Sequence, residues 1–376
     1  MILPGATVGL LGGGQLGRMF TAQARRMGYD VVVLDPDPGS PAGALATTHL
    51  TASYTDTPAL EEMARTTSVV TTEFENVPAD ALHLLASRVR VAPGAAAVHT
   101  TQDRIREKQF LHDQGIATAP FAVVRTVDDL APAWTQIGAP ALFKTSQLGY
   151  DGKGQLPVAS RGDLEAAFAK LGQVPGVLEH RLPLEAELSV VLARGDDGRV
   201  AAFPPGDNVH HHGILETTTL PSTLPASITE QATRCATLIA ERLEYVGVLG
   251  VEFFVARGGL LYANEIAPRP HNSGHFTQDA CTVCQFEQQV RAVCGLPLGH
   301  PALLSPVCMI NLLGDLWEHG PPRWDRVLDL PGVTLHLYGK ATPRPGRKMG
   351  HLNCLAPTAE EALALAHRAR ELLRDQ

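Results

Sequence analysis

Six short stretches carry residue types whose spacing suits chemistry. Leu148 to Gln155 (LGYDGKGQ) packs Gly149, Gly152, Gly154 and Lys153 into eight residues. Glycines let backbone N–H groups approach phosphate oxygens, and lysine adds charge. The segment is not a GxxxxGK[ST] loop. Lys144 ends the apolar run ALFK just before it, and a lysine there costs desolvation unless it meets an anion. We read this pair of features as phosphate-handling. Further on, a turn at Gly258-Gly259 that pairs Arg257 with Leu260 sets Glu252 opposite Glu265. Facing carboxylates repel, and a divalent cation reverses the sign. Mg²⁺ takes oxygen ligands and bridges carboxylates to nucleotide phosphates, and Asn264 offers a further oxygen.

Right after Glu265 come Arg269, His271, Asn272, Ser273 and His275, a donor set for an anionic, hydroxylated substrate. Lys340, Arg344, Arg347 and Lys348 form a compact basic patch. Three histidines run from His210 to His212, but strand neighbours point to opposite faces, so a ligand-facing His210 is expected rather than a metal site. Glu73, Glu75 and Asn76 follow the apolar run SVVTT, at the strand edge where parallel sheets bind ligands. They suit substrate hydroxyls or an amine.

Gly12, Gly14 and Gly17 have the spacing of a dinucleotide fingerprint, and Asp35 stands where such a fold keeps its ribose carboxylate. That motif alone is weak, and acidic Glu73 and Glu75 would repel a pyrophosphate. We expect these glycines to turn the chain tightly and offer N–H groups to a smaller ligand's phosphate. Cys281 and Cys284 are the one tight cysteine pair, read as one face of a helix over 280–294, without partners for zinc.

The elements that must position these residues alternate at first: strand 6–11, helix 15–28, strand 31–35, helix 58–66, strand 68–74. This predicts a parallel, doubly wound sheet. A charged amphipathic helix is expected over 102–114. From 118 to 295 the pattern changes to an α+β body with antiparallel hairpins, and a tail of strands ends in a helix over 357–374. Net charge of −8 argues against a nucleic-acid partner, and no run approaches the ~18 apolar residues of a membrane span. A cytoplasmic location with free thiols is the expectation.

Taken in order, GGGQLGRM, TEFENV, GYDGKGQ, NEIAPRPHNSGHFTQ and GRKMGHLN resemble the ATP-grasp ligases, and within them the 5-(carboxyamino)imidazole ribonucleotide synthetases of purine biosynthesis. The resemblance implies a Rossmann-like N-terminal domain (1–103), a central ATP-grasp domain (104–298) and a small C-terminal domain (299–376). It implies ATP at Arg104, Lys144, Gly149, Tyr150, Asp151, Gly152, Lys153, Gly154, Gln155, Glu179, His180, Arg181, Leu182, Glu187, His210, Asn264 and Glu265, with Mg²⁺ on Glu252 and Glu265. Aminoimidazole ribonucleotide would meet Gln15, Leu16, Glu73, Tyr150, Asp151, Arg269, His271, Asn272, Ser273, Lys340, Arg347 and Lys348. Asp151, Lys153, Arg269 and Lys348 would serve catalysis. The implied reaction joins bicarbonate to the ribonucleotide amine at the expense of ATP, in a homodimer, with residues 148–155 as a lid. The chain departs from the family at Ser146 or Gln147, where many members carry an arginine. Rival readings are another ATP-grasp ligase, an NAD-dependent oxidoreductase and a nucleotide-binding regulator without turnover.

Overall fold

In a computed structural model, which describes residues 1–149 and 152–374, the chain builds three sheets. The first is parallel, in the order Thr48–Leu50, Asp30–Leu34, Thr7–Leu11, Val69–Thr72, Arg90–Val91. The helix Gln15–Arg26 places Leu16, Met19, Phe20 and Ala24 at helical spacing, and these pack on Val8, Leu10, Val31 and Val33. Leu60 and Met63, with Leu82 and Leu85 from the next helix, cover the other face. Burial on both faces explains why VVVL reads as a continuous apolar run.

A four-stranded antiparallel sheet follows, ordered Phe121–Val124, Gly176–His180, Ala141–Thr145, Gln155–Val158. The helices Leu130–Ile137 and Arg161–Lys170 close one side of it. The glycine loop is the hairpin between the last two strands, where Lys144 pairs with Gln155.

The third sheet has nine strands, of which the short Val200–Ala202 pairs with Leu184–Arg194 beside the main order. Leu260–Ala267, Gly247–Ala256, Leu184–Arg194, Gly206–His211 and Ile214–Leu220 run on directly into Val307–Leu313, Lys348–Leu355 and Val333–Leu337. The C-terminal strands therefore extend the central sheet rather than forming one of their own. The helix Ala226–Arg242 buries Ala232, Ala236, Ile239 and Ala240 against one stretch, and Ala359–Arg374 covers the other.

The charged helix expected over 102–114 is present. Asp103 accepts from the Ile105 and Arg106 N–H groups, so it starts a new helix, Arg104–Asp113, after Ala95–Thr101. The stretch expected as one helix over 280–294 is divided: Cys284 caps Gln285–Val293, while Cys281 bridges to Leu303 after the short helix Thr277–Ala280. The two cysteines thus share no helix face, contrary to the expectation. All six cysteines are free thiols. Among the described residues no helix is long and apolar enough to cross a membrane.

Candidate active site

The opening glycines do not offer a dinucleotide site. Asp35 spends Oδ2 on the Gly13 N–H (2.7 Å) and the Tyr54 hydroxyl (2.6 Å), and Oδ1 on the Asp37 N–H (2.8 Å). The N-terminus of the first helix is taken too: Glu73 accepts from the Gly14 and Gly17 N–H groups, the latter at 2.6 Å. A phosphate expected on these amides meets a carboxylate instead. Burial raises the Glu73 carboxyl above its ordinary value, against the pull of the two amides. Gly12 sits at φ 101°, and a Cβ there would lie 2.5 Å from Glu73 Cγ, so only glycine fits the turn.

Beside this turn opens a cleft lined by Glu75, Arg104, Gln147, Glu265 and Arg269 among others. Arg104 is held by its own N–H to the Ser146 carbonyl (2.7 Å) and by NH2 to Glu265 Oε2 (3.3 Å). Gln147, standing at the departure from the family, donates to Asp103 Oδ2. Lys144 meets the anion its strand demanded, donating to Glu179 Oε1 at 2.7 Å. The glycine loop needs its glycines: Gly154 has φ 74°, and a Cβ there would stand 2.7 Å from Thr145 Oγ1. A Cβ on Gly152 would approach the His212 carbonyl to 3.2 Å, so the loop reaches across to the turn at His212–Gly213. Tyr150 and Asp151 lie outside the described residues. In the segment after Glu179, the His180 and Arg181 N–H groups bond to the Pro120 and Pro140 carbonyls.

Glu252 does face Glu265. The register comes about differently from the expectation. The hairpin closes with Ala256 opposite Leu260, and a bulge at Asn264 shifts the ladder back by one. Burial raises the Glu252 carboxyl, and the Glu265 and Glu187 charges add to it. Asn264 donates Nδ2 to Glu252 Oε2 (3.4 Å), while its buried Oδ1 has no hydrogen-bond partner. Two carboxylates and an unmet amide oxygen form a hard-oxygen set that fits Mg²⁺ completed by phosphates. Among the described residues no larger cluster of metal-binding side chains is found. His210 lies 3.0 Å from Glu187 Oε2. Burial opposes its charge, but Glu187 and Glu252 outweigh that and lift the imidazole above its usual value.

The loop after Glu265 is clamped from behind. Gln285, fully buried, accepts from the His271 N–H and donates to the His271 carbonyl, both at 2.8 Å. The His271 ring rests on Ser273 Oγ (2.8 Å), which accepts from Ser189 (2.7 Å). Its Nε2 points to Glu252 Oε1 at 3.5 Å, and burial with the nearby Arg269 and Lys348 keeps it neutral. Arg269 is paired with Glu75, Nε to Oε2 at 2.6 Å, which holds that carboxyl below its usual range despite burial. Lys340 donates to Gln15 Oε1 and to the Lys348 carbonyl, tying the basic patch to the first helix. Lys348 is close enough to Glu252, His210 and His271 to act on their ionisation.

Some expected contacts turn inward. Ser273 is fully buried behind His271, Asn272 exchanges two hydrogen bonds with Asn311, and Leu16 packs in the apolar core. Ser273 and Asn272 support the site from behind, while Leu16 also lines a small pocket with Glu73. Arg347 bends outward to the Thr342 carbonyl.

Three family models cover the chain in sequence: a ribonucleotide synthetase preATP-grasp domain over 5–102, an ATP-grasp domain over 109–286, and a phosphoribosylaminoimidazole carboxylase C-terminal domain over 307–365. The N5-carboxyaminoimidazole ribonucleotide synthase of Brucella melitensis is 46% identical over 356 residues, covering 94% of this chain and 97% of that protein. The chain belongs to the N5-carboxyaminoimidazole ribonucleotide synthase family. The Bacillus subtilis synthase is 41% identical over 364 residues, covering 96% of this chain and 94% of its own. A solved synthetase of this family with ADP superposes with a TM-score of 0.94 at 40% identity, covering 98% and 97% of the two chains. The Aspergillus clavatus synthase, solved with ADP and 5-aminoimidazole ribonucleotide, gives 0.90 at 32% identity, with 98% of each chain covered.

Sequence reasoning passed over Lys108, Glu107 and Gln285, all buried at the site. One signal was available for the first: Lys108 follows Arg104 by one helical turn and shares its face.

Proposed function

We infer that this protein condenses bicarbonate with 5-aminoimidazole ribonucleotide, converting ATP to ADP and phosphate and forming the N5-carboxyamino product of purine biosynthesis. The observation that carries the site assignment is the facing pair Glu252–Glu265 with the unmet Asn264 oxygen, ringed by Arg104, His210, His271 and Lys348.

Bicarbonate is a weak electrophile. An oxygen of bicarbonate attacks the γ-phosphorus of ATP, the bond to the β–γ bridging oxygen breaks, and ADP leaves. The carboxyphosphate so formed is a mixed anhydride. The exocyclic amine of the ribonucleotide takes its carboxyl group, the amine loses a proton, and phosphate departs. Such transfer rests on positioning and charge neutralisation. Lys144 and Arg104, both near Glu179, neutralise phosphate charge, and Lys153 adds to them from the loop. Glu252, Glu265 and Asn264 would hold Mg²⁺, which would supply positive charge near the phosphates. Arg269, aimed by Glu75, binds the anion that becomes the carboxyl group, and Lys348, at the start of Lys348–Leu355, adds a second positive charge beside His271. His271, neutral and fixed by Ser273, serves as a hydrogen-bonding group rather than as a proton donor in this setting. Glu73, with Gln15 and Lys340 nearby, receives the ribonucleotide, and Asp151 accepts the amine proton. The loop over 148–155 covers the labile anhydride from water. A homodimer in the cytoplasm accompanies this reading.

The test is phosphate release from Mg·ATP in bicarbonate with and without 5-aminoimidazole ribonucleotide. Release that depends on the ribonucleotide supports the reading. Release that responds only to a different amine retains the ligase chemistry and removes the substrate. Asp151→Asn with unchanged turnover would remove the proton-acceptor role.

A further inference from the structure

The helix Arg104–Asp113 presents Arg104 and Lys108 one turn apart. Arg104 belongs to the cleft, whereas the Lys108 side chain is 0% exposed and has no part in the chemistry above. Its ammonium lies 3.0 Å from Glu179 Oε2, and the other oxygen of that carboxylate takes the Lys144 ammonium at 2.7 Å. Glu179 is 2% exposed, so the three charges form one buried row. A fully buried lysine is expensive to desolvate, and an apolar residue would pack there at lower cost. Glu107, the remaining carboxylate near Lys108, accepts the Ile266 N–H and also lies in the field of Arg104.

Counting charge gives Lys108 a purpose. A Glu179–Lys144 pair alone is neutral, and the Lys144 charge would be cancelled before any ligand arrived. With Lys108 the row carries one net positive charge. We propose that Lys108 is a positioning residue of the nucleotide site: it shares the Glu179 carboxylate with Lys144 and so leaves one net positive charge that Lys144 presents to the phosphates of a nucleoside triphosphate. This rests on the reading that Lys144 faces those phosphates.

The charge role separates from a packing role by using a charged and an uncharged ligand. Binding of Mg·ATP and of adenosine to the full-length protein is measured by calorimetry for the native chain, Lys108→Met, Glu179→Gln and the double variant. Lys108→Met weakens Mg·ATP about tenfold, the size expected of one charge about 10 Å away in a partly polar interior. It leaves adenosine within about twofold. The double variant regains most of the loss, because Lys144 alone again carries one charge. Equal losses for both ligands, or a double variant no better than Lys108→Met, would overturn the proposal. If Lys108→Met fails to fold, Glu179→Gln and the double variant read the same charge. Mg·ATP should then bind more weakly to the double variant with adenosine unmoved, and equal affinities overturn the idea. Absence of ATP binding to the native chain would remove the nucleotide site itself and this inference with it. Native binding with indifferent variants would remove the inference alone.

Discussion

Replacing Glu252 by Gln should stabilise the ligand-free protein while removing its activity. The two carboxylates stand opposite each other on adjacent strands. Cross-strand neighbours approach to about 5 Å, and at an effective dielectric near 20 two like charges there cost about 3 kcal/mol. His210 and Lys348 offset part of this, leaving a net cost on the order of 1 kcal/mol. The sign follows from the raised carboxyl of Glu252. A group whose folded-state pKa lies above its unfolded value costs stability once pH passes the ordinary carboxylate range, and glutamine removes that cost at neutral pH. Gln keeps an oxygen for Asn264 Nδ2, so the local hydrogen bond survives. The melting midpoint without ligand should rise by about 1–3 °C. The upward shift given by Mg·ADP should shrink, and turnover should fall by about 10²–10³-fold, the worth of a metal's charge on the transferring group. Melting curves with and without Mg·ADP, beside steady-state phosphate release, read all three. A lower ligand-free midpoint together with an unchanged Mg·ADP shift would refute the reasoning.

Glu75→Gln leaves the Arg269 guanidinium, 18% exposed, without its charged partner. We expect a loss of about 3 kcal/mol in denaturant unfolding and a higher KM for the ribonucleotide than for ATP. The Glu179 carboxyl is held at about 2, because the two lysines outweigh its burial. Its folded-state pKa is depressed, so its contribution is present at neutral pH and fades as pH falls from about 4.5 towards about 2. Melting midpoints across that window should fall more steeply for the native chain than for Glu179→Gln. Gly154→Ala forces a φ of 74° on an L-residue and a Cβ against Thr145 Oγ1, costing about 1–2 kcal/mol in the loop. Its KM for ATP should rise while adenosine binding holds, which parallel kinetics and calorimetry would show.

Much of this site was readable because its chemistry is local in sequence. The glycine loop, the strand ending in Lys144 and the cluster after Glu265 each lie within a few residues, so type and spacing suffice. The Glu252–Glu265 register was reached through two departures that cancel: the hairpin closes one residue early, and the bulge at Asn264 restores the count. A bulge leaves no mark in an alternation pattern. What stayed hidden depends on distant packing. Lys108 looks like a solvated helix charge until Glu179, far along the chain, comes to lie over it. Gln285 looks like a surface amide until it is found holding both backbone groups of His271. The fingerprint glycines misdirected for the same reason, since only the fold shows Glu73 on their amides and Asp35 already committed. The C-terminal strands read correctly as strands, but pairing of Ile214–Leu220 with Val307–Leu313 is a long-range event that no window of sequence reveals.

The central claim is that ATP activates bicarbonate at the cleft between Lys144, Arg104 and the Glu252–Glu265 pair. Turnover in bicarbonate labelled with ¹⁸O tests it most directly. Attack by a bicarbonate oxygen on the γ-phosphorus leaves that oxygen on phosphorus after the carboxyl group departs. The account predicts phosphate carrying one ¹⁸O atom for each ADP formed in the presence of 5-aminoimidazole ribonucleotide. Unlabelled phosphate at full turnover would contradict it.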